Sequence, residues 1–198
     1  MRHLITTSTL AAVCCLSLTA CTGGGDDHGD GRGDERSTAR PSPRPTLSLG
    51  QSAETTGAGG RGAARITPDT VVYADSTGFG APEHGLFVVV TYRSSNRTTS
   101  PVTTTAGQGG LRWRTADGRT VTERNSKAAK GVAPIGFSEG GPVLAPEVGH
   151  QDVAVFDVAG AERGGTLIYV DGDGAAFRWK IPASDSGSAV PALKFALD

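Results

Sequence analysis

Leu86-Phe87-Val88-Val89-Val90-Thr91-Tyr92 is the stretch on which the fold turns. Apart from Leu86, every residue is β-branched or aromatic, side chains that pack well on a pleated surface. Nothing more polar than a threonine interrupts the run, so neither side is left for water. It predicts a central strand buried on both faces.

Shorter runs flank it. Val71-Val72-Tyr73 comes before. Leu111-Arg112-Trp113-Arg114 alternates and meets Asp117-Gly118, a hairpin signal, with Val121 opening the return strand. Apolar runs follow at residues 153–158 and 166–170. After Asp171-Gly172-Asp173-Gly174 comes Phe177-Arg178-Trp179-Lys180-Ile181. There Phe177, Trp179 and Ile181 share one face, and Arg178 and Lys180 the other, the period-two signature of a strand.

No window has a convincing helical period, although residues 127–130 can form one turn. Seven or eight short strands separated by turn signals predict an all-β antiparallel sandwich or barrel. Trp113 and Trp179 are expected in its core rather than on a binding surface. Residues 123–141 lack pattern and are long for a loop. After residue 183, Leu193, Phe195 and Leu197 alternate. They suggest an edge strand, or an apolar tail folded back on the sheet.

Three features resemble the immunoglobulin-like domain found in many lipoproteins of high-GC Gram-positive bacteria, a domain of unknown function. The first is Phe87-Val88-Val89-Val90-Thr91-Tyr92 running into Arg93-Ser94-Ser95-Asn96. The second is the hairpin at Asp117-Gly118. The third is Leu144-Ala145-Pro146-Glu147-Val148-Gly149 leading into Val153-Ala154-Val155-Phe156-Asp157-Val158. This chain has Pro146-Glu147 where the family usually has Pro-Gly. The resemblance spans about residues 66–181. It implies an immunoglobulin-like β-sandwich on a lipid anchor, with no established activity and no functional residues to carry over.

The N-terminus carries an address. Met1-Arg2-His3 is basic, and residues 4–18 are uncharged and mostly apolar or small. That length falls short of the ~20 apolar residues of a membrane span and fits a secretory signal peptide. Leu18-Thr19-Ala20-Cys21 resembles the bacterial lipobox. The resemblance implies cleavage between Ala20 and Cys21, and a thioether-linked diacylglyceryl group, palmitate-like chains, on the Cys21 thiol. Two acyl chains at ~0.8 kcal/mol per buried methylene anchor stably where one does not. The expected location is the extracytoplasmic face of the cell membrane, with the lipid bilayer as partner through acylated Cys21.

Residues 22–60 hold Gly23-Gly24-Gly25, Asp26, Asp27, Asp30, Pro41, Pro43 and Pro45, with Leu47 and Leu49 but no aromatic residue. Such a stretch is expected to stay a disordered tether, averaging ~35 Å end to end over ~40 residues. Arg32-Gly33-Asp34 spells an adhesion tripeptide, as expected by chance in a tract rich in Gly, Asp and Arg. The anticipated organisation is signal peptide 1–20, lipidated Cys21 and tether 21–60, sandwich 61–183, and tail 184–198.

The 198 residues include 29 Gly and 11 Pro, and 20% are charged, with a net charge of −1. From residue 61 onward, 14 acidic residues face 14 basic ones. Such neutrality gives no electrostatic reason to bind nucleic acid or an anionic membrane. Cysteine occurs only as Cys14, Cys15 and Cys21, so cleavage before Cys21 leaves no pair to form a disulfide within the chain.

Chemistry is thin. Gly136-Phe137-Ser138-Glu139-Gly140 matches the G-x-S-x-G elbow, in which a strand-to-helix turn exposes the serine. Gly141 and Pro142 follow at once and forbid an early helix. Only Glu147 and His150 lie downstream to serve Ser138, crowded close to it. Asp171 and Asp173 have calcium-loop spacing, but Ala175 and Phe177 take the next positions and Pro182 stands where an EF-hand needs Glu. A hairpin turn explains them. His84 and His150 are too few for zinc, and Asn96-Arg97-Thr98 is a chance sequon.

No catalytic residue, metal ligand or cofactor is therefore assigned, and the chain is expected not to be an enzyme. The leading expectation is a binding or interaction module with an unknown protein or envelope partner. Its candidate loops are Gly107-Gln108-Gly109-Gly110 and residues 136–142. The alternatives are a small hydrolase using Ser138 and a structural envelope protein without a discrete ligand.

Overall fold

A computed structural model describes residues 44–138 and 140–198. The signal segment, Ala20, Cys21 and Arg32-Gly33-Asp34 lie outside the described residues.

The apolar run forms the middle of β4 (Gly85–Asn96). This strand pairs antiparallel with β3 (Ala63–Ala74) on one side and β9 (Gly149–Ala159) on the other. Val90 stands between Val71 and Ala154. With β2 (Ala53–Thr56) at the edge, the order is β2-β3-β4-β9. The second sheet runs β1-β11-β10-β6-β7. It comprises β1 (Leu47–Ser48), β11 (Ala176–Ile181), β10 (Gly165–Val170), β6 (Leu111–Arg114) and β7 (Thr120–Thr122). A third, two-stranded piece joins β5 (Val102–Thr103) to β8 (Val143–Leu144).

The connectivity is immunoglobulin-like. β3, β4 and β9 sit where strands A, B and E do, and β6, β10 and β11 where C, F and G do, with β7 added beside C. The fold is thus an antiparallel β-sandwich. The short strands β1, β2, β5 and β8 raise the number among the described residues above the expected seven or eight.

Alternation along β4 divides its side chains between two cores. Leu86, Val88, Val90 and Tyr92 enter the space between the sheets with Trp113, Trp179, Phe156 and Tyr169. Phe87 and Val89 face the opposite way, into a second core with Val72, Val153 and Val155. That second core explains the unbroken apolar run: the four-stranded sheet is covered on both faces. Both tryptophans are fully buried. The Trp113 ring lies 6.0 Å from that of Phe156, and Trp179 Nε1 donates to the Gln51 carbonyl at 2.8 Å.

The outer cover is helical. α1 (Lys127–Gly131) is capped by Ser126, whose Oγ accepts from the Ala129 N–H at 2.9 Å. Ser126 in turn donates to the buried Asp157 carboxylate on β9, which also accepts from the Glu83 and His84 N–H groups. α2 (Val190–Leu197) places Leu193 and Leu197 one turn apart against the sheet and holds a proline in its first turn.

One boundary departs from expectation. The 21–60 segment is not tether throughout: from residue 44 it joins the fold. Leu47 and Leu49 pack on the main core, Ala53 and Thr55 are buried, and β1 lies parallel to β11. A composition argument treats the segment alone, whereas here a preformed sheet edge supplies both backbone partners and an apolar surface. The tail 184–198 makes one strand bridge, Ser186 to Val71, and then folds back on the sheet as α2, the second of the two arrangements expected for it, rather than adding an edge strand. The apparent alternation was a helical i, i+4 pair; Phe195 between them is 84% exposed. Among the described residues no helix is long and apolar enough to cross a membrane.

Candidate functional site

The residues singled out in the sequence scatter. Ser138 is exposed in a loop that continues into β8, with no helix behind it. His150, at the start of β9, has its Nδ1 3.4 Å from the Gly141 carbonyl, and it lines a different cleft from Ser138. Glu147 is exposed in a tight turn at φ 61°. Among the described residues no hydrogen bond joins Ser138 to either of them. His84 precedes β4 while His150 pairs with Ser94 near its far end, so the two histidines sit at opposite ends of the sheet.

The Asp171-Gly172-Asp173-Gly174 turn is a structural clamp. Asp171 Oδ1 accepts from the Asp173 and Ala175 N–H groups at 3.1 and 2.9 Å. Its Oδ2 reaches across to the Thr56 N–H of β2 at 3.0 Å. The carboxylate therefore closes the β10–β11 hairpin and ties the two sheets together. A side chain on Gly172 would come within 1.7 Å of the Gly57 carbonyl, so this crossing requires glycine. Asn96 of the sequon is buried. Its amide nitrogen donates to the Ser100 and Leu144 carbonyls at 2.7 and 3.1 Å, and its oxygen accepts from the Thr98 N–H. No group of three or more His, Cys, Asp or Glu side chains is arranged to hold a metal among the described residues.

The two glycine-rich loops do converge. β5 pairs with β8 through Val102–Leu144 and Thr103–Val143, which fixes the bases of both loops side by side. The Thr104 N–H donates to the Pro142 carbonyl at 2.8 Å and stitches them one residue further on. Between them opens a cleft of about 260 Å³, into which Ala106, Gly107, Ser138 and Gly141 are presented.

Its floor is acidic. Tyr92 on β4 stands opposite Asp152 on β9. Glu123 comes from the point where the chain leaves β7 and crosses to the other sheet. Its N–H donates to the Leu111 carbonyl, while the next residue, Arg124, at φ 56°, donates its N–H to Val155. The Glu123 side chain is only 6% exposed, and its Oε1 lies 3.6 Å from Arg124 Nε. Its Oε2 has no hydrogen-bond partner among the described residues. Burial pushes the Glu123 carboxyl above the ordinary range; Arg124 and the Gly107 N–H pull it back, and Asp152 adds to the rise. Burial first, then Glu123 and Asp152, raise the Tyr92 hydroxyl.

A buried carboxyl with an unused oxygen can accept a hydrogen bond from a ligand or, when protonated, donate one. Leaving it unmatched costs about 1–3 kcal/mol, so its retention calls for an explanation. A larger cleft of about 410 Å³ on the four-stranded sheet has no such feature. Its arginines, Arg65 and Arg93, are already matched by Glu54 at 2.6 Å and Asp69 at 3.2 Å.

Sequence reading missed Glu123, Tyr92 and Asp152. One signal was present: in Val121-Thr122-Glu123 the period-two rule puts Glu123 on the same inward face as Val121.

No protein-family model matches the chain, and no curated protein matches it in sequence. Solved structures of similar shape include MPT63, a secreted protein from Mycobacterium tuberculosis. It is 16% identical at a TM-score of 0.49, over 70% of this chain and 97% of that one. The yjhA protein of Bacillus subtilis is 13% identical at a TM-score of 0.48, over 69% of this chain and 99% of the other. The ycdA protein of Bacillus subtilis, described as a candidate lipoprotein, is 13% identical at a TM-score of 0.44. It matches over 71% of this chain and 41% of its own.

Proposed function

We propose that the chain is a lipid-anchored, extracytoplasmic binding module whose recognition site is the cleft between residues 104–110 and 136–142. The anchor reading is supported by the basic start, the uncharged stretch and Leu18-Thr19-Ala20-Cys21. The binding reading rests on one observation: Glu123 is held at 6% exposure beneath two converging loops with Oε2 unmatched. A side chain kept in this state at a cost to stability fits a ligand that brings the missing donor. The cleft suits a small polar group, such as one end of a larger envelope molecule, rather than a whole drug-sized ligand.

Both parts are testable in intact cells. Cys21→Ser is expected to move the protein out of the membrane fraction; unchanged retention would remove the anchor. A photo-crosslinking side chain at position 138 is expected to capture a reproducible adduct that is lost when Glu123→Leu is added. Capture indifferent to Glu123, or none at all, would reject the cleft.

A further inference from the structure

We infer that the outer face of the five-stranded sheet is a cationic surface on which the domain rests against an anionic lipid bilayer. Strand alternation fixes which side chains form this face. Leu111 and Trp113 point into the core, which turns Arg112 and Arg114 outward on β6. Phe177, Trp179 and Ile181 do the same for Arg178 and Lys180 on β11.

The register assembles these into two rows. Arg114, Thr166 and Lys180 lie side by side across β6, β10 and β11, as do Arg112, Ile168 and Arg178. Thr120 and Thr122 on β7 and Ser48 on β1 extend the rows. No strand of this sheet carries an acidic residue. None of the four cations makes a salt bridge among the described residues; Arg112 donates to the Gly109 carbonyl and Arg178 to the Ala176 carbonyl. Beside the first row opens a shallow cleft of about 620 Å³, lined by Arg114 and Lys180, with room for a phosphodiester headgroup. The domain's balance of 14 acidic and 14 basic residues thus conceals a segregation of charge, and the neutrality expected to disfavour an anionic membrane does not hold locally.

The bilayer is preferred over other polyanions because of where the chain enters. The described residues begin at Arg44, whose guanidinium lies 4.2 Å from the Phe177 ring on β11, and continue into β1 at the edge of this same sheet. Residues 22–43 separate that point from Cys21 and cannot span more than about 75 Å. The location of the bilayer rests on the anchor reading; the charge on the face does not.

Vesicle co-sedimentation of the chain from residue 22 onward tests the surface without the lipid. Binding is expected to phosphatidylcholine vesicles containing a third phosphatidylglycerol, not to pure phosphatidylcholine, and to fall with added salt. Each Lys or Arg near an anionic surface raises partitioning about fivefold, so Arg114→Gln with Lys180→Gln should lower it roughly 25-fold. Lys127→Gln with Lys130→Gln on α1 removes as much charge elsewhere and should change it little. Equal losses from the two pairs, equal binding to both vesicles, or binding to soluble polyphosphate alone would overturn the proposal. Retention lost in Cys21→Ser says nothing against the face, so the two readings fail separately.

Discussion

Glu123 is where the proposed function and stability part company. Its folded-state pKa lies above the ordinary 4.5, so the stability linked to its titration is fully present below that value and is lost as pH rises through the folded-state pKa. Glu123→Leu is therefore expected to raise the melting temperature at pH 7, by about 3–6 °C for roughly 1–2 kcal/mol. The gain should shrink toward pH 4. Calorimetry at the two pH values checks this, and a variant less stable than the parent at pH 7 would make Glu123 a structural residue. Trp113 contrasts with it. Its Nε1 is also buried without a partner among the described residues, but it lies between the sheets rather than at a cleft. Its large buried ring area outweighs the lost hydrogen bond.

At the level of elements, α2 is docked on the four-stranded sheet by its apolar side and tied at both ends, by the Ala189 N–H on Thr70 Oγ1 and the Gly78 N–H on the Leu197 carbonyl. Leu193 and Leu197 fill the second core, and Lys194 pairs with Asp185 at 2.6 Å. Leu193→Ala should cost about 2–5 kcal/mol in urea unfolding, whereas Phe195→Ala should cost almost nothing. For Asp185, burial acts upward, but the Lys194 ammonium and the Tyr73 N–H outweigh it and hold the carboxyl below its ordinary value. The stability it contributes is present at neutral pH and lost in acid, the opposite sign to Glu123.

Legibility followed the same divide. β6 and β11 were readable because burial of one face of a sheet imposes period two on the sequence itself, and β4 because burial of both faces makes it a continuous apolar run. The short strands β1 and β2 were not, because they add backbone bonds to an edge and need little apolar content. The helical form of α2 was not legible, because Leu193, Phe195 and Leu197 alternate as in a strand while Leu193 and Leu197 alone keep the helical spacing. The loops of the candidate site were readable as glycine-rich, and their convergence was not. It depends on the pairing of Val102 with Leu144, which are 42 positions apart in the chain.

For the whole molecule, the sandwich is joined at its edge by Asp171 and at one end by the crossing at Glu123 and Arg124. Asp171→Ala leaves the Thr56, Asp173 and Ala175 N–H groups unmatched together. It should lower stability by about 2–4 kcal/mol. Hydrogen exchange should quicken first in β2, which keeps the Gly172 N–H on the Thr56 carbonyl but loses its side-chain tie to the second sheet; uniform quickening would mean that Asp171 serves only its own hairpin.

The meagre pairing of β1 has a mechanical consequence. Any tension transmitted from an attached N-terminus arrives at Arg44 and meets two residues of parallel ladder, the Gly50 N–H on Pro68 and the Gln51 carbonyl on Trp179 before it reaches a long strand. Residues 44–52 would peel away first and lengthen the leash by up to about 30 Å. The four-stranded sheet and the four other strands of its partner would stay stacked, so in a tethered molecule this segment would act as a shock absorber.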